Sequence, residues 1–304
     1  KTIKTIYGET NISKNRIYEG EAVHLNAKVY SQYSYSKYGY TPFNVLGKHD
    51  NYELKSKGPL ALVEESVGGE LYYTIELDGR VIFPIKSGKY IVEPFEMAII
   101  ESSIYRLNSD QKTFTVLKLP SKNRPSSFLG LVGDFDFDVK LSSSEAEINE
   151  VITLQISIDG RGNFQHAVSP TLILPEEVEL YADPVEIKNY KLSKSGFEGQ
   201  LTYTYPLKVV KKMRVRIPEI ELSYFDAENK KYVTYNSGSF EINEKLDSTE
   251  FAIVGDKLID NQLNDKGKLK TTENVVRTNE KHSDNQRSRK RSIIFISLSA
   301  IALC

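Results

Sequence analysis

With 304 residues the chain is long enough for about two folded domains, at roughly 100–200 residues each. Its 40 lysines and arginines balance 41 aspartates and glutamates, which leaves no basic field to hold nucleic acid, and its single cysteine, Cys304, excludes an internal disulfide and a cysteine-built metal site. The apolar share, 39%, is that of a globular core, and the aromatic usage (19 Tyr, 13 Phe, no Trp) favours strands and wet interfaces.

The first block, residues 1–119, reads as all-β. Val23, Leu25, Ala27 and Val29 alternate with His24, Asn26 and Lys28, the period of two of a half-buried strand. The tyrosine-rich stretch Tyr30–Tyr40 follows, in which Tyr33, Tyr35, Tyr38 and Tyr40 stand among Ser, Gly and Lys. That is the composition of adaptable recognition loops, because a tyrosine ring offers area at low entropic cost. These four are the candidate partner-binding residues. The competing reading is a loop folded back onto its own sandwich, with some rings in the core. Leu71–Leu77 predicts another strand, and Asp78-Gly79 signals a hairpin leading into Val81–Ile85. Ser87-Gly88 supplies a turn before Tyr90–Val92, and Thr113–Leu119 closes the block.

The second block, residues 129–247, has the same plan. Phe135, Phe137, Val139 and Leu141 alternate with Asp134, Asp136, Asp138 and Lys140, and Ile152, Leu154, Ile156 and Ile158 continue the pattern. Short strands are expected at Leu201–Tyr205, Val215–Ile217, Ile220–Tyr224, Tyr232–Tyr235 and Phe240–Ile242. The run around GELYYTIEL resembles the one around GQLTYTYPL, with Pro94 matching Pro218, so the two blocks read as repeats of one module. The expected fold is therefore all-β, two tandem immunoglobulin-like β-sandwiches. Residues 248–291 are too polar to fold and read as a flexible linker ending in the basic run Arg287–Arg291. Residues 292–304 are apolar but fall short of the roughly 20 needed to span a bilayer. They are expected to begin a transmembrane helix, and both ends of the chain read as cut.

Catalytic and metal chemistry find little support. His24, His49, His166 and His282 show no metal-ligand spacing, and no nucleophile elbow or triad pattern occurs. Asp134, Asp136 and Asp138 lie along one extended strand face, where a calcium loop would need a tight turn. Gly160-Arg161-Gly162-Asn163 lacks the Lys-Ser/Thr of a phosphate loop and is expected to be a positive-φ turn. No enzyme activity, cofactor or metal is expected.

A set of motifs spread over the chain resembles the BatD family of bacterial aerotolerance proteins. It comprises Tyr18-Glu-Gly-Glu21, Val81-Ile-Phe-Pro84 with Lys86-Ser-Gly88, Leu119-Pro120, Leu131-Val-Gly133, Gly160-Arg-Gly-Asn163, and Ile217-Pro218 leading to Ser223-Tyr-Phe-Asp226. One departure is Lys211-Lys212-Met213, where the family tends to place a glycine. The resemblance implies the second and third of a series of immunoglobulin-like domains, followed by a membrane helix in the bacterial inner membrane. It further implies periplasmic sandwiches acting in stress tolerance beside von Willebrand A-type membrane proteins and an associated ATPase, without enzyme activity. A basic run before a membrane helix, here Arg287–Arg291, is more usual on the cytoplasmic side. The expected function is a membrane-anchored interaction protein. The alternative is a cell-surface adhesin or glycan-binding sandwich whose tyrosines stack on sugar rings.

Overall fold

A computed structural model describes residues 5–54, 61–100, 104–211 and 214–245. The linker at 248–291 and the membrane segment at 292–304 lie outside the described residues. Within them the fold is all-β, built of sandwich-like sheets, with one short 3₁₀ turn at Phe164–His166. No helix among the described residues is long and apolar enough to cross a membrane.

The first half opens with β1 (Ile6–Ile12), β2 (Arg16–Tyr18) and β3 (Val23–Ser31). It continues through β4 (Tyr38–Thr41), β5 (Val45–Leu46), β6 (His49–Glu53), β7 (Val63–Val67) and β8 (Glu70–Pro84). β9 (Gly88–Val92), β10 (Glu96–Ile100), β11 (Ile104–Asn108) and β12 (Lys112–Leu117) complete it. The strands form sheets of order β1-β3-β8-β6 with β7 also on β8, β11-β10-β4, and β2-β12-β9-β5. The second half contains β13 (Phe128–Leu141), β14 (Glu145–Ala146), β15 (Val151–Gly162), β16 (Val178–Leu180), β17 (Val185–Ser193) and β18 (Gly196–Val209). It ends with β19 (Val215–Ile217), β20 (Glu221–Asp226), β21 (Lys231–Asn236) and β22 (Phe240–Glu244). Its larger sheet runs β16-β18-β15-β13-β20-β21 with β17 also on β18, and its smaller one β14-β22-β19.

The period-two reading of β3 is met residue for residue: Val23, Leu25, Ala27 and Val29 are fully buried, and the residues between them are not. They belong to a cluster with Phe43, Ile82, Phe95 and Phe114. A second cluster gathers Leu131, Phe135, Leu154, Ile156, Phe164, Leu201 and Leu207.

Two turn expectations are corrected. Asp78-Gly79 is not a hairpin: β8 runs straight through it and pairs with β3 on both sides. A two-residue hairpin of that kind needs positive φ at its centre, and Gly79 does not have it. The pairing shifts instead, Ala27 facing Asp78 and Lys28 facing Glu76, so Leu77 is the extra residue of a bulge. Nor is Gly160–Asn163 a turn. Gly160 and Gly162 lie within β15, paired with Phe135 and Gly133 of β13. Their φ angles of 150° and 149° are indeed positive, but the cause is close approach. A β-carbon at Gly160 would press into the Asp134 carbonyl oxygen and come 3.0 Å from the Phe135 ring, which covers both glycines.

The two halves share a seam. β8 presents Ile82 to the first cluster, while Val81 and Phe83, on its opposite face, belong to the second. Register aligns His24 of β3 and Tyr52 of β6 with Val81, and Asp50 with Phe83, so one sheet face carries the whole set. The Phe83 ring stacks on Phe197 at 5.6 Å and 2°, and Tyr52 stands edge-on to both at 5.8 and 5.0 Å. His166 Nε2 meets Asp50 Oδ2 at 2.5 Å, and Tyr18 packs edge-on against Phe225 at 4.9 Å. Each buried aromatic contributes about 1.5–3 kcal/mol relative to exposure, which makes the seam a substantial term in holding the halves together. The Tyr232 hydroxyl donates to the Pro120 carbonyl at 2.9 Å and ties the connector down as well.

Candidate interaction surface

The tyrosine-rich stretch leaves β3 and returns as β4, an outer strand of the β11-β10-β4 sheet. A local turn sets its direction: the Tyr33 amide donates to Ser31 Oγ at 2.9 Å, and that hydroxyl donates back to the Tyr33 carbonyl at 2.8 Å. Tyr35 then dives into the first cluster, its ring edge-on to Tyr38 at 6.0 Å. Its hydroxyl is buried and finds no hydrogen-bond partner among the described residues, and burial pushes its pKa upward. Tyr38 is half-buried against the same core. The Tyr40 hydroxyl donates to the Leu77 carbonyl at 2.9 Å, which anchors the ring to the β8 bulge.

The four candidate tyrosines therefore divide. Tyr35 and Tyr38 serve the core, while Tyr33, 48% exposed, and Tyr40, 36% exposed, reach the surface. Tyr33 also rims a hollow of about 240 Å³ lined by Ile6, Ser31, Tyr35, Ile99 and Tyr105. Tyr105 on β11, opposite Ile99, is 53% exposed at this rim. Nearby, Tyr7 and Tyr30 stack at 4.8 Å, with Tyr72 edge-on at 5.9 and 6.3 Å. Lys28 Nζ sits 4.9 Å over the Tyr30 ring and 2.5 Å from Glu65 Oε2. The hydrogen bond from Lys28 holds the Glu65 carboxyl below the usual range. Sequence reasoning missed Tyr105 because only folding brings β11 beside this loop.

The polar groups that drew attention in sequence are dispersed. Asp134 and Asp136 are exposed on β13, Asp138 pairs with Lys140 at 2.5 Å, and Asp134 lies 3.5 Å from Arg161. His49 Nδ1 contacts the Gly47 carbonyl at 2.9 Å, His166 belongs to the seam, and His282 lies outside the described residues. His24 is half-buried under the other half, with burial first and then Lys194 lowering its pKa. Among the described residues no three His, Cys, Asp or Glu side chains are grouped so as to hold a metal ion. Also unforeseen was β17, an outer strand whose residues Val185–Asn189 are all exposed. Its alternation of Val, Glu, Ile and Lys was the available signal.

Residues 139–243 match the model of the BatD DUF11 like domain. No curated protein matches the chain. Solved structures with some similarity include the adhesin InvE of Yersinia pseudotuberculosis, 11% identical with a TM-score of 0.22, over 78% of this chain and 58% of that one. The Escherichia coli adhesin FdeC is 8% identical with a TM-score of 0.21, over 80% of this chain and 66% of that one. The type II cohesin dyad of the adaptor ScaA scaffoldin from Acetivibrio cellulolyticus is 12% identical with a TM-score of 0.22, over 79% of this chain and 99% of that one. The chain thus spans less than two thirds of the first two. Reaching from Val139 in β13 to Asn243 in β22, the family match supports assigning the chain to the BatD family.

Proposed function

We propose that the chain is a non-enzymatic, membrane-anchored interaction protein of the BatD aerotolerance type. Its two halves act as tandem immunoglobulin-like sandwiches that present surfaces to partner proteins, von Willebrand A-type membrane proteins among them, in a stress-tolerance complex of the bacterial inner membrane. The observation that carries this reading is the BatD-domain match over residues 139–243. The seam supports a display role, since stacked Phe83 and Phe197 couple the halves into one presenting body. The hollow beside Tyr33 and Tyr105 offers the partner an apolar contact. Residues 292–304 begin the anchor and 248–291 set its reach, with the sandwiches on the periplasmic side.

Two measurements test it. In intact cells, with Cys304 replaced by serine, Ser144→Cys is expected to react with a membrane-impermeant maleimide; protection until lysis overturns the periplasmic placement. Solubilised in mild detergent, the intact protein is expected to co-purify with a von Willebrand A-type membrane protein, and less so as Tyr33→Ala/Tyr105→Ala. Recovery of the chain alone overturns the interaction role, and so does glycan binding that disappears in the same variant.

A further inference from the structure

We propose that β17 is a self-pairing edge, along which two copies of this chain join antiparallel over Val185–Asn189 about a two-fold axis through Ile187. Among the described residues β17 pairs with β18 alone, so its other side presents unpaired backbone N–H and C=O groups. The strand is nine residues long, and its register runs without a bulge from Val185 opposite Thr204 to Ser193 opposite Gly196. Exposed edges are ordinarily short, bulged or guarded by charge, because an open edge templates another strand.

The exposure of β17 is unusual in kind. A strand covered on one face alternates between buried and exposed residues, yet Val185 to Asn189 are exposed one after another, on both faces. Val185 and Ile187 are 57% and 54% exposed and lie on the same face, where solvent gives apolar side chains nothing.

Charge then selects the partner. In an antiparallel pair centred on Ile187, Glu186 faces Lys188 of the second copy, a contact that occurs twice by symmetry. Both charged residues of the paired segment are thereby matched to their opposites. Ile187 meets Ile187 of the second copy, and Val185 meets Asn189. Side-chain faces are preserved only when the register slips by an even number of places. The nearest such slips set Glu186 against Glu186 or Lys188 against Lys188, and like charges directly opposite are destabilising. In a single chain Glu186 and Lys188 reach each other along the strand at 3.4 Å, and Glu186 also meets Tyr203 of β18. A strand whose complement is its own reversed sequence points to a second copy of the chain.

The test reads both register and charge, using the intact chain in detergent with Cys304 replaced by serine. Under mild oxidation Ile187→Cys is expected to form a disulfide dimer, because directly opposite β-carbons lie about 4.5–5.5 Å apart. Val185→Cys and Asn189→Cys are each expected to form no disulfide alone and to cross-link when mixed. In sedimentation of the cysteine-free protein, Glu186→Lys is expected to weaken the dimer by on the order of tenfold or more. The swap Glu186→Lys/Lys188→Glu is expected to restore it. Equal cross-linking by all three single cysteines overturns the proposal. So does a wild-type chain that remains a monomer at its highest soluble concentration, or a dimer indifferent to Glu186→Lys.

Discussion

Gly160 shows how a single position is decided by what lies across the strand. With φ at 150° and the Asp134 carbonyl oxygen where a β-carbon would go, it has no room for a side chain. Gly160→Ala is expected to cost about 2–3 kcal/mol, through strain at a restricted backbone position. Gly39→Ala, where a β-carbon would meet nothing within 4 Å, is expected to stay within about 0.5 kcal/mol of wild type. Urea midpoints of the two variants measure the contrast. His24 is the second residue-scale case. Its depressed pKa means that the unfolded chain binds more protons between the folded pKa and the ordinary value near 6.5. Its contribution to stability is therefore full above about pH 6.5 and is lost as the pH falls toward the folded pKa. His24→Gln is expected to flatten the fall in melting temperature between about pH 7 and about pH 5; an unchanged slope would show that His24 does not titrate on folding. The pattern of β3 put His24 on the strand's polar side, but gave no sign that Val81 and Phe83 of β8 make that sheet face part of the seam.

β8 is the element on which the architecture turns. An alternating strand would carry a polar residue between its apolar ones, but Val81-Ile82-Phe83 is unbroken, the mark of a strand buried on both faces. Ile82 goes to the first cluster and its two neighbours to the second. Phe83→Ala is expected to cost about 3–5 kcal/mol, with the loss falling on the seam, and near-ultraviolet circular dichroism of the stacked rings reports it. A loss below about 1 kcal/mol would mean that the ring is not packed as described. In sequence Asp78-Gly79 reads as a hairpin, whereas the structure has a bulge whose extra residue is Leu77. The two differ only in whether the chain reverses or continues against β3, and local composition does not decide between them.

For the whole molecule the seam predicts coupling. The residues up to Lys245 cluster as one compact unit, and calorimetry is expected to show a single unfolding transition for the wild type. Phe83→Ala/Phe197→Ala is expected to split it into two, because each half keeps its own cluster once the shared rings are gone. Two transitions already present in the wild type would contradict the coupling.

Strand content, the alternation of β3, β13 and β15, and the sites of most breaks were legible in the chain, because burying one face of a strand imposes a period of two that local sequence records. Which tyrosines of the 30–40 stretch reach solvent was not legible. Neither was the partnership of Phe83 with Phe197, nor the isolation of β17 at the end of its sheet. Those depend on contacts between segments far apart in the chain, and only the closed tertiary structure chooses among partners that look alike in sequence.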